Sequence, residues 1–262
     1  MPDRYAVCTP KDVEMREKME RTIYLLVISV IAIAAIIAGV AIHGGGFGLI
    51  INGNSIDGIE DTVVLDNFDS IEFDTDVADI IIKEGTEYKL HYRCTKNMIP
   101  EWQVADKKLK VTNRNKKVLF GVNNNCKIEI TVPRSSELTL VDIQNDVGDV
   151  EIDGISTKEC NVESNVGDIA LKDVTMENSV MNSDTGDIEI KNSTFTDLDL
   201  SSDVGSITVE SSQRLTDYAF DLSTDIGDIE FNNEDYGNKY RRDGEDGKIT
   251  IQGDVGDIEI KD

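Results

Sequence analysis

One seven-residue pattern recurs six times in the C-terminal half of the chain, and it limits the possible folds more than any other feature. The copies open at Asp146, Asn165, Asp184, Asp203, Asp225 and Asp254, and the first reads Asp146-Val147-Gly148-Asp149-Val150-Glu151-Ile152. Their glycines fall at positions 148, 167, 186, 205, 227 and 256, so the intervals are 19, 19, 19, 22 and 29 residues. A fixed period near twenty residues indicates stacked supersecondary units. Within each copy, Asx-x-Gly is turn chemistry, because glycine tolerates a positive φ and the Asx side chain bonds the nearby backbone. The following residues alternate strictly, with Val150 and Ile152, Ile169 and Leu171, Ile188 and Ile190, and Ile207 and Val209 on one side and mostly polar or acidic residues on the other, as in a half-buried strand.

A second apolar set sits later in each period: Cys160 and Val162, Met181 with Ser179, Leu198 and Leu200, Phe220 and Leu222. One period is therefore one coil of two or three short strands. Stacking coils about 4.8 Å apart places each Ile over the Ile of the coil before and buries a core that no single coil could bury. An antiparallel sandwich would not explain one heptapeptide returning at a constant interval. The pattern predicts an all-β, parallel β-solenoid. Asp76-Val77-Ala78-Asp79-Ile80-Ile81-Ile82 is a seventh, degraded copy with Ala78 in the glycine position, and Tyr88–Tyr92, Leu109–Thr112 and Lys127–Pro133 also alternate as strands. The copy at Gly256 finishes the chain without a separate cap, so the solenoid end is expected to be an open sheet edge through which the protein could oligomerise.

Ahead of the strands, Ile23 to Ile42 is twenty residues without a charge, enough to cross a bilayer as a helix. The preceding residues carry Arg4, Lys11, Arg16, Lys18 and Arg21, and no Lys or Arg follows the run until Lys83. By the positive-inside rule the N-terminus is cytoplasmic and the rest extracytoplasmic. The expected organisation is a cytoplasmic tail at 1–21, a single transmembrane helix at 22–43 anchoring the chain in the cell membrane, a Gly-rich linker at 44–60, and the solenoid at 61–262 with its repeats from about 145 to 262. A cleaved signal peptide is the alternative, with Gly39-Val40-Ala41 as its small-x-small site, but the apolar run and the tail before it are both long for one.

Charge narrows the partners. The chain holds 51 acidic and 26 basic residues, and residues 135–262 alone hold 32 acidic against 9 basic. Such a surface repels nucleic acid and anionic lipid alike. With two histidines in the whole chain, His43 beside the apolar run and His91 on a strand, no triad can be assembled without arbitrary partners, and the sequence points away from an enzyme.

Two candidate sites remain. Stacked in register, Asp149, Asp168, Asp187, Asp228 and Asp257 line one corner, and the Asx residues line a neighbouring one. Like charges at strand spacing repel, and calcium is the cofactor that carboxylate oxygens would take to offset them. The calcium-binding nonapeptide Gly-Gly-x-Gly-x-Asp is absent, however, and Asp and Asn as turn residues on a solvated edge account for the same pattern. The second candidate is the long interval between Asn232 and Gly247, whose Tyr236, Lys239, Tyr240, Arg241 and Arg242 form a basic-aromatic cluster in an acidic half. It would contact a cell-wall polymer, an envelope protein, or its own acidic neighbours. Among the cysteines, Cys160 occupies a core position of the repeat, and Cys94 with Cys126 is the remaining outer pair, whose bonding distance the sequence does not set.

Phe68-Asp69-Ser70-Ile71-Glu72-Phe73, the Ile80–Gly85 strand and turn, Ile130-Thr131-Val132-Pro133 and the recurrent Gly-Asp-Ile-Glu-Ile coils resemble the DUF4097 family of adhesin-like, β-repeat cell-envelope proteins. The resemblance spans roughly residues 60–262. It implies a right-handed β-solenoid outside the cytoplasm and a structural or interaction role, and it brings no catalytic or ligand-binding residues with it. The alternative role is an outer sensor or accessory domain of an envelope-stress signalling system acting through the short cytoplasmic tail.

Overall fold

The computed structural model describes residues 58–114 and 126–262. The expected tail, transmembrane helix and most of the linker lie outside the described residues, and among those described no helix is long and apolar enough to cross a membrane. All regular structure within them is strand: β1 (Gly58–Val64), β2 (Ser70–Val77), β3 (Asp79–Gly85), β4 (Lys89–Thr95), β5 (Glu101–Ala105), β6 (Lys108–Asn113), β7 (Cys126–Pro133), β8 (Glu137–Val147), β9 (Val150–Asp153), β10 (Ser156–Val166), β11 (Ile169–Lys172), β12 (Thr175–Thr185), β13 (Ile188–Ser193), β14 (Asp197–Val204), β15 (Ile207–Ser211), β16 (Ala219–Ile226), β17 (Ile229–Phe231), β18 (Glu234–Asp235), β19 (Lys239–Arg242), β20 (Lys248–Val255) and β21 (Ile258–Lys261).

Each coil contributes one strand to each of two sheets. One sheet runs β1-β4-β7-β3-β9-β11-β13-β15-β21-β17-β18, the other β19-β16-β20-β14-β12-β10-β8-β2-β6-β5. The interior neighbours are parallel, and successive repeats pair with a shift of one period: Val150 on Ile169, Ile169 on Ile188 and Ile188 on Ile207 in one sheet, Val141 on Cys160 and Cys160 on Ser179 in the other. The alternation read from the sequence is the burial pattern observed. Ile71, Val141, Cys160, Leu198, Ile249 and Phe220 form one inward column, and Ile80, Val150, Ile169, Ile188, Ile207, Ile258 and Ile229 form another, all at most 2% exposed. The degraded copy takes its place in the stack, with β2 on β8 and β3 on β9.

The order of coils is not the order of the chain. The expectation that the final copy ends the stack is corrected by the pairing of β20 with both β14 and β16, and of β21 with both β15 and β17. After β15 the chain leaves one coil position vacant, lays down β16 and β17 beyond it, turns back through β18 and β19, and fills the gap with its last fifteen residues. The physical gain is burial on both sides: Ile249, Ile251, Ile258 and Ile260 are all at most 1% exposed, as central rungs should be. The end of the stack is closed by strands running the other way, β18 against β17 and β19 against β16.

The opposite end uses the same device. β6 and β7 form a coil outside β2 and β3, although they follow them in the chain, and antiparallel β5, β4 and β1 lie beyond. Directly opposed in the antiparallel pair β4–β7, Cys94 and Cys126 form a disulfide with Cα atoms 4.0 Å apart. The pairing left open by the sequence is therefore settled by strand register.

Because the last copy is an interior rung, deletion of residues 248–262 should abolish cooperative unfolding rather than lower the midpoint by the increment of one terminal coil. Circular dichroism melts of the full chain and of the chain ending at Gly247 test this. A truncated protein that still melts cooperatively a few degrees lower would contradict the interior placement.

Candidate functional site

The repeated turn builds one corner of the stack, and every position of the heptapeptide has a separate place there. Gly148, Gly167, Gly186, Gly205, Gly256 and Gly227 stand in a column with φ between +126° and +157°. A Cβ on any of them would lie 2.0–2.2 Å from a carbonyl oxygen of the neighbouring coil, that of Ala78 for Gly148 and of the adjacent glycine for each of the others. Glycine is thus required here twice, for its dihedral and for the closeness of the next backbone. The column also records the coil order, since Gly256 packs on the Gly205 carbonyl and Gly227 on that of Gly256.

Inside the glycine column runs a buried polar row that the sequence reading missed: Thr75, Asn145, Ser164, Ser183, Ser202 and Thr224, each at most 3% exposed. Asn145 Nδ2 donates to the Gly148 carbonyl at 2.9 Å and Thr224 Oγ1 to that of Gly256 at 2.9 Å, while Thr75 Oγ1 donates along the row to Asn145 Oδ1 at 2.7 Å. Their signal in the sequence is a small polar residue just before five of the six Asx-x-Gly turns, with Gly253 before the sixth, and such residues equally suit exposed loops.

Outside the glycines, the predicted aspartates do form a column, and its members work on backbone. The Asp149 amide donates to Asp79 Oδ1 at 3.3 Å, Asp168 to Asp149 at 3.0 Å, Asp187 to Asp168 at 2.9 Å, Ser206 to Asp187 at 2.8 Å, and Asp228 to Asp257 at 3.0 Å. The Asp79, Asp149, Asp168, Asp187 and Asp257 carboxylates each spend an oxygen on the N–H of the next rung, a charge-assisted bond that offsets the like-charge stacking, and Asp228 at the end of the column takes part through its amide. The structure divides the expected ladder, since Ser206 separates Asp187 from Asp257, and Asp257 precedes Asp228 in the stack. Among the described residues no three His, Cys, Asp or Glu side chains converge as a metal site would require.

The second Asx column, Asp146, Asn165, Asp184, Asp203, Asp254 and Asp225, lies on the other side of the turn and is exposed. Between the two acidic columns runs a ridge of side chains from the middle turn position. Val147, Val166, Val204, Val255 and Ile226 are 42–50% exposed, with Thr185 in line between Val166 and Val204. Direct register pairing joins them from one end to the other: Val147, Val166, Thr185, Val204, Val255, Ile226.

The predicted basic-aromatic cluster divides in two. Tyr236, Tyr240 and Arg242 turn onto the end of the core: the Arg242 guanidinium lies 4.5 Å from the Phe220 ring centroid and 5.6 Å from that of Phe231, and Tyr240 lies 5.8 Å from Phe220 and 4.3 Å from Tyr236. Arg242 also donates to the Tyr218 carbonyl at 3.2 Å and to that of Leu215. The Tyr236 hydroxyl donates to Glu234 at 2.8 Å, which raises its pKa. Lys239 and Arg241 remain exposed on the outermost strand, where charge discourages edge-to-edge pairing. At the other end, Lys110 and Lys108 hold the Glu72 carboxyl below its ordinary pKa by hydrogen bonding.

The cysteines have separate roles. Burial pushes the Cys160 thiol up to about 12, so it is a neutral core side chain over the physiological range.

The sequence over residues 68–261 matches the family described as Toastrack DUF4097. Among solved structures, one similar fold is that of a candidate cell adhesion protein from Clostridium sporogenes, at 16% identity and a TM-score of 0.51, covering 78% of this chain and 99% of that one. Another is a candidate adhesin from Bacteroides fragilis, at 20% identity and a TM-score of 0.45, covering 79% of this chain and 98% of that one. No curated protein sequence matches the chain.

Two outcomes follow. Asp168→Ala, which removes the acceptor for the Asp187 amide, should cost about 1 kcal/mol and lower the melting midpoint by a few degrees, while Asp168→Asn, which keeps an oxygen there, should cost less; paired thermal melts decide it. Reducing the Cys94–Cys126 bond, which spans 32 residues, should cost about 3–4 kcal/mol, and iodoacetamide at pH 8 should reach Cys160 only after denaturant is added, as mass spectrometry of the alkylated peptides would show.

Proposed function

The chain belongs to the Toastrack DUF4097 family, and from that premise we propose that it is a membrane-anchored, non-enzymatic interaction module of the cell envelope, its right-handed solenoid held outside the cytoplasm by the apolar helix at 22–43. Right-handed winding is the sense that parallel crossovers take in nearly all sheets. One observation carries the reading: both ends of the stack are covered by antiparallel strands, so the large available surface among the described residues is the flank, which repeats at rung spacing. A flank of this kind suits contact with an extended or repetitive partner, and a single small-molecule substrate has no need of it.

Location is supported by two independent features. The Cys94–Cys126 disulfide persists in oxidising compartments and is rare in the cytosol. The basic residues before the apolar run, with none after it until Lys83, orient the helix with its N-terminus inside. The partner class that fits an adhesin-like module is a wall polymer or another envelope protein.

A strain expressing the full chain with a C-terminal epitope tests this. On intact cells the epitope should be reached by antibody and the Cys94–Cys126 bond should be found oxidised. Deletion of the gene should reduce cell attachment or aggregation severalfold, and a chain lacking residues 2–15, which keeps Arg16, Lys18 and Arg21 beside the apolar run to orient it, should restore it. Restoration only by the chain with its tail would transfer the function to signalling across the membrane.

A further inference from the structure

The ridge at the turn corner has no structural duty that explains its apolar character. Its six positions, Val147, Val166, Thr185, Val204, Val255 and Ile226, face solvent, and Thr185 shows that a hydroxyl-bearing β-branched residue serves the turn equally well. The five aliphatic members, with Thr185 between Val166 and Val204, together expose roughly 300–400 Å², the size of the largest apolar patch on an ordinary monomer, which is often functional. The patch is continuous in register, and carboxylates rim it on both sides except at Asn165 and Ser206.

Those rims differ. On one side the aspartates of the backbone-bonded column have spent an oxygen on the next rung. On the other, Asp184, Asp203, Asp254 and Asp225 are exposed and make no ion pair or side-chain hydrogen bond among the described residues. A second copy would bring the same carboxylates face to face, and an anionic membrane would be repelled. Charge complementarity selects a cationic partner with apolar side chains between its charges.

Spacing selects the partner's secondary structure. The ridge repeats at about 4.8 Å, whereas side chains on one face of an extended strand laid along it repeat at about 6.7 Å. On an α-helix, apolar residues alternating three and four apart advance about 5.3 Å each. Over the five intervals of the ridge, about 24 Å, the helix drifts out of step by only about half a rung, while the strand drifts by two.

We propose that this ridge is a docking surface for a basic amphipathic helix of a partner protein, its apolar stripe laid along Val147–Ile226 and its Lys and Arg side chains reaching the flanking aspartates. The proposal rests on reading the chain as an interaction module and names the face and the partner chemistry.

The test uses the full chain in zwitterionic nanodiscs and a fluorescein-labelled, 21-residue Leu/Lys peptide with Leu at heptad positions a and d, read by anisotropy against empty discs. The expected result is saturable binding, at least about tenfold weaker for a scrambled peptide of the same composition, with carbodiimide cross-links to Asp184, Asp203, Asp254 or Asp225. The V147T/V166T/V204T/V255T protein, which copies the natural Thr185, should lose at least about tenfold in affinity with its melting midpoint retained. Should that variant unfold, Asp184→Asn/Asp203→Asn/Asp254→Asn should weaken binding and flatten its salt dependence. Equal binding of scrambled peptide, unchanged binding by the folded variants, or self-association of the unliganded chain that the Val→Thr changes abolish would each overturn the proposal. Loss of cell attachment in the deletion strain would stand whichever way the peptide experiment falls, so the two readings fail separately.

Discussion

Backbone contact through a column of glycines is the constraint on which the rest of the structure depends. A Cβ at Gly167, Gly186 or Gly205 would sit 2.0–2.2 Å from the carbonyl oxygen of the preceding coil. No side chain fits at that distance, so only glycine lets neighbouring turns stack backbone on backbone, and the turn sets register as well as a bend. Once turns are pinned, the 19-residue period forces like onto like in both sheets, and the inward Ile and Leu columns form without further instruction. The same pinning carries the Asp149, Asp168 and Asp187 carboxylates to the next backbone N–H, turning an electrostatic liability into part of the stack.

A stack built this way has a difficulty at each end, where rows of unpaired N–H and C=O groups would recruit other chains. By reversing its own order the chain moves those edges onto antiparallel strands, with Lys239 and Arg241 exposed on one of the outermost. At the far end it overshoots by one coil, caps that coil with Tyr240 and Arg242 over Phe220 and Phe231, and returns to fill the gap. At the near end β6 and β7 are laid outside β2 and β3 and then covered by antiparallel strands. The terminal segment thus becomes a central rung, and its four isoleucines gain contacts on both faces in place of one.

These reversals explain what the sequence made legible and what it concealed. Periodicity, inward columns, turn chemistry and the degraded copy at Ala78 could all be read, because each is a local pattern of residue types. Coil order could not, because Gly227 and Gly256 carry the same heptapeptide and either would fit onto Gly205. Only the departures from 19, to 22 and 29 residues, hinted at the detour, and an insertion loop predicts the same lengthening. The cap resembles a binding loop in sequence for the same reason: Tyr240 and Arg242 are equally at home on a ligand and on the end of a core. The disulfide needed register too, since nothing local to Cys94 or Cys126 sets them opposite each other.

With both ends closed, the flank is where a partner can act, and repetition decides what kind of partner benefits. A contact at one rung of the ridge is weak, being a half-exposed valine between carboxylates in water, where single surface pairs contribute about 1 kcal/mol or less. A partner whose own period approaches the rung spacing makes the same weak contact five or six times at the ordering cost of one rigid element. A partner out of step makes it once or twice. Recognition on such a surface therefore rests on period rather than on any one residue, and single departures such as Thr185 on the ridge, or Asn165 and Ser206 on its rims, leave the rung spacing unchanged.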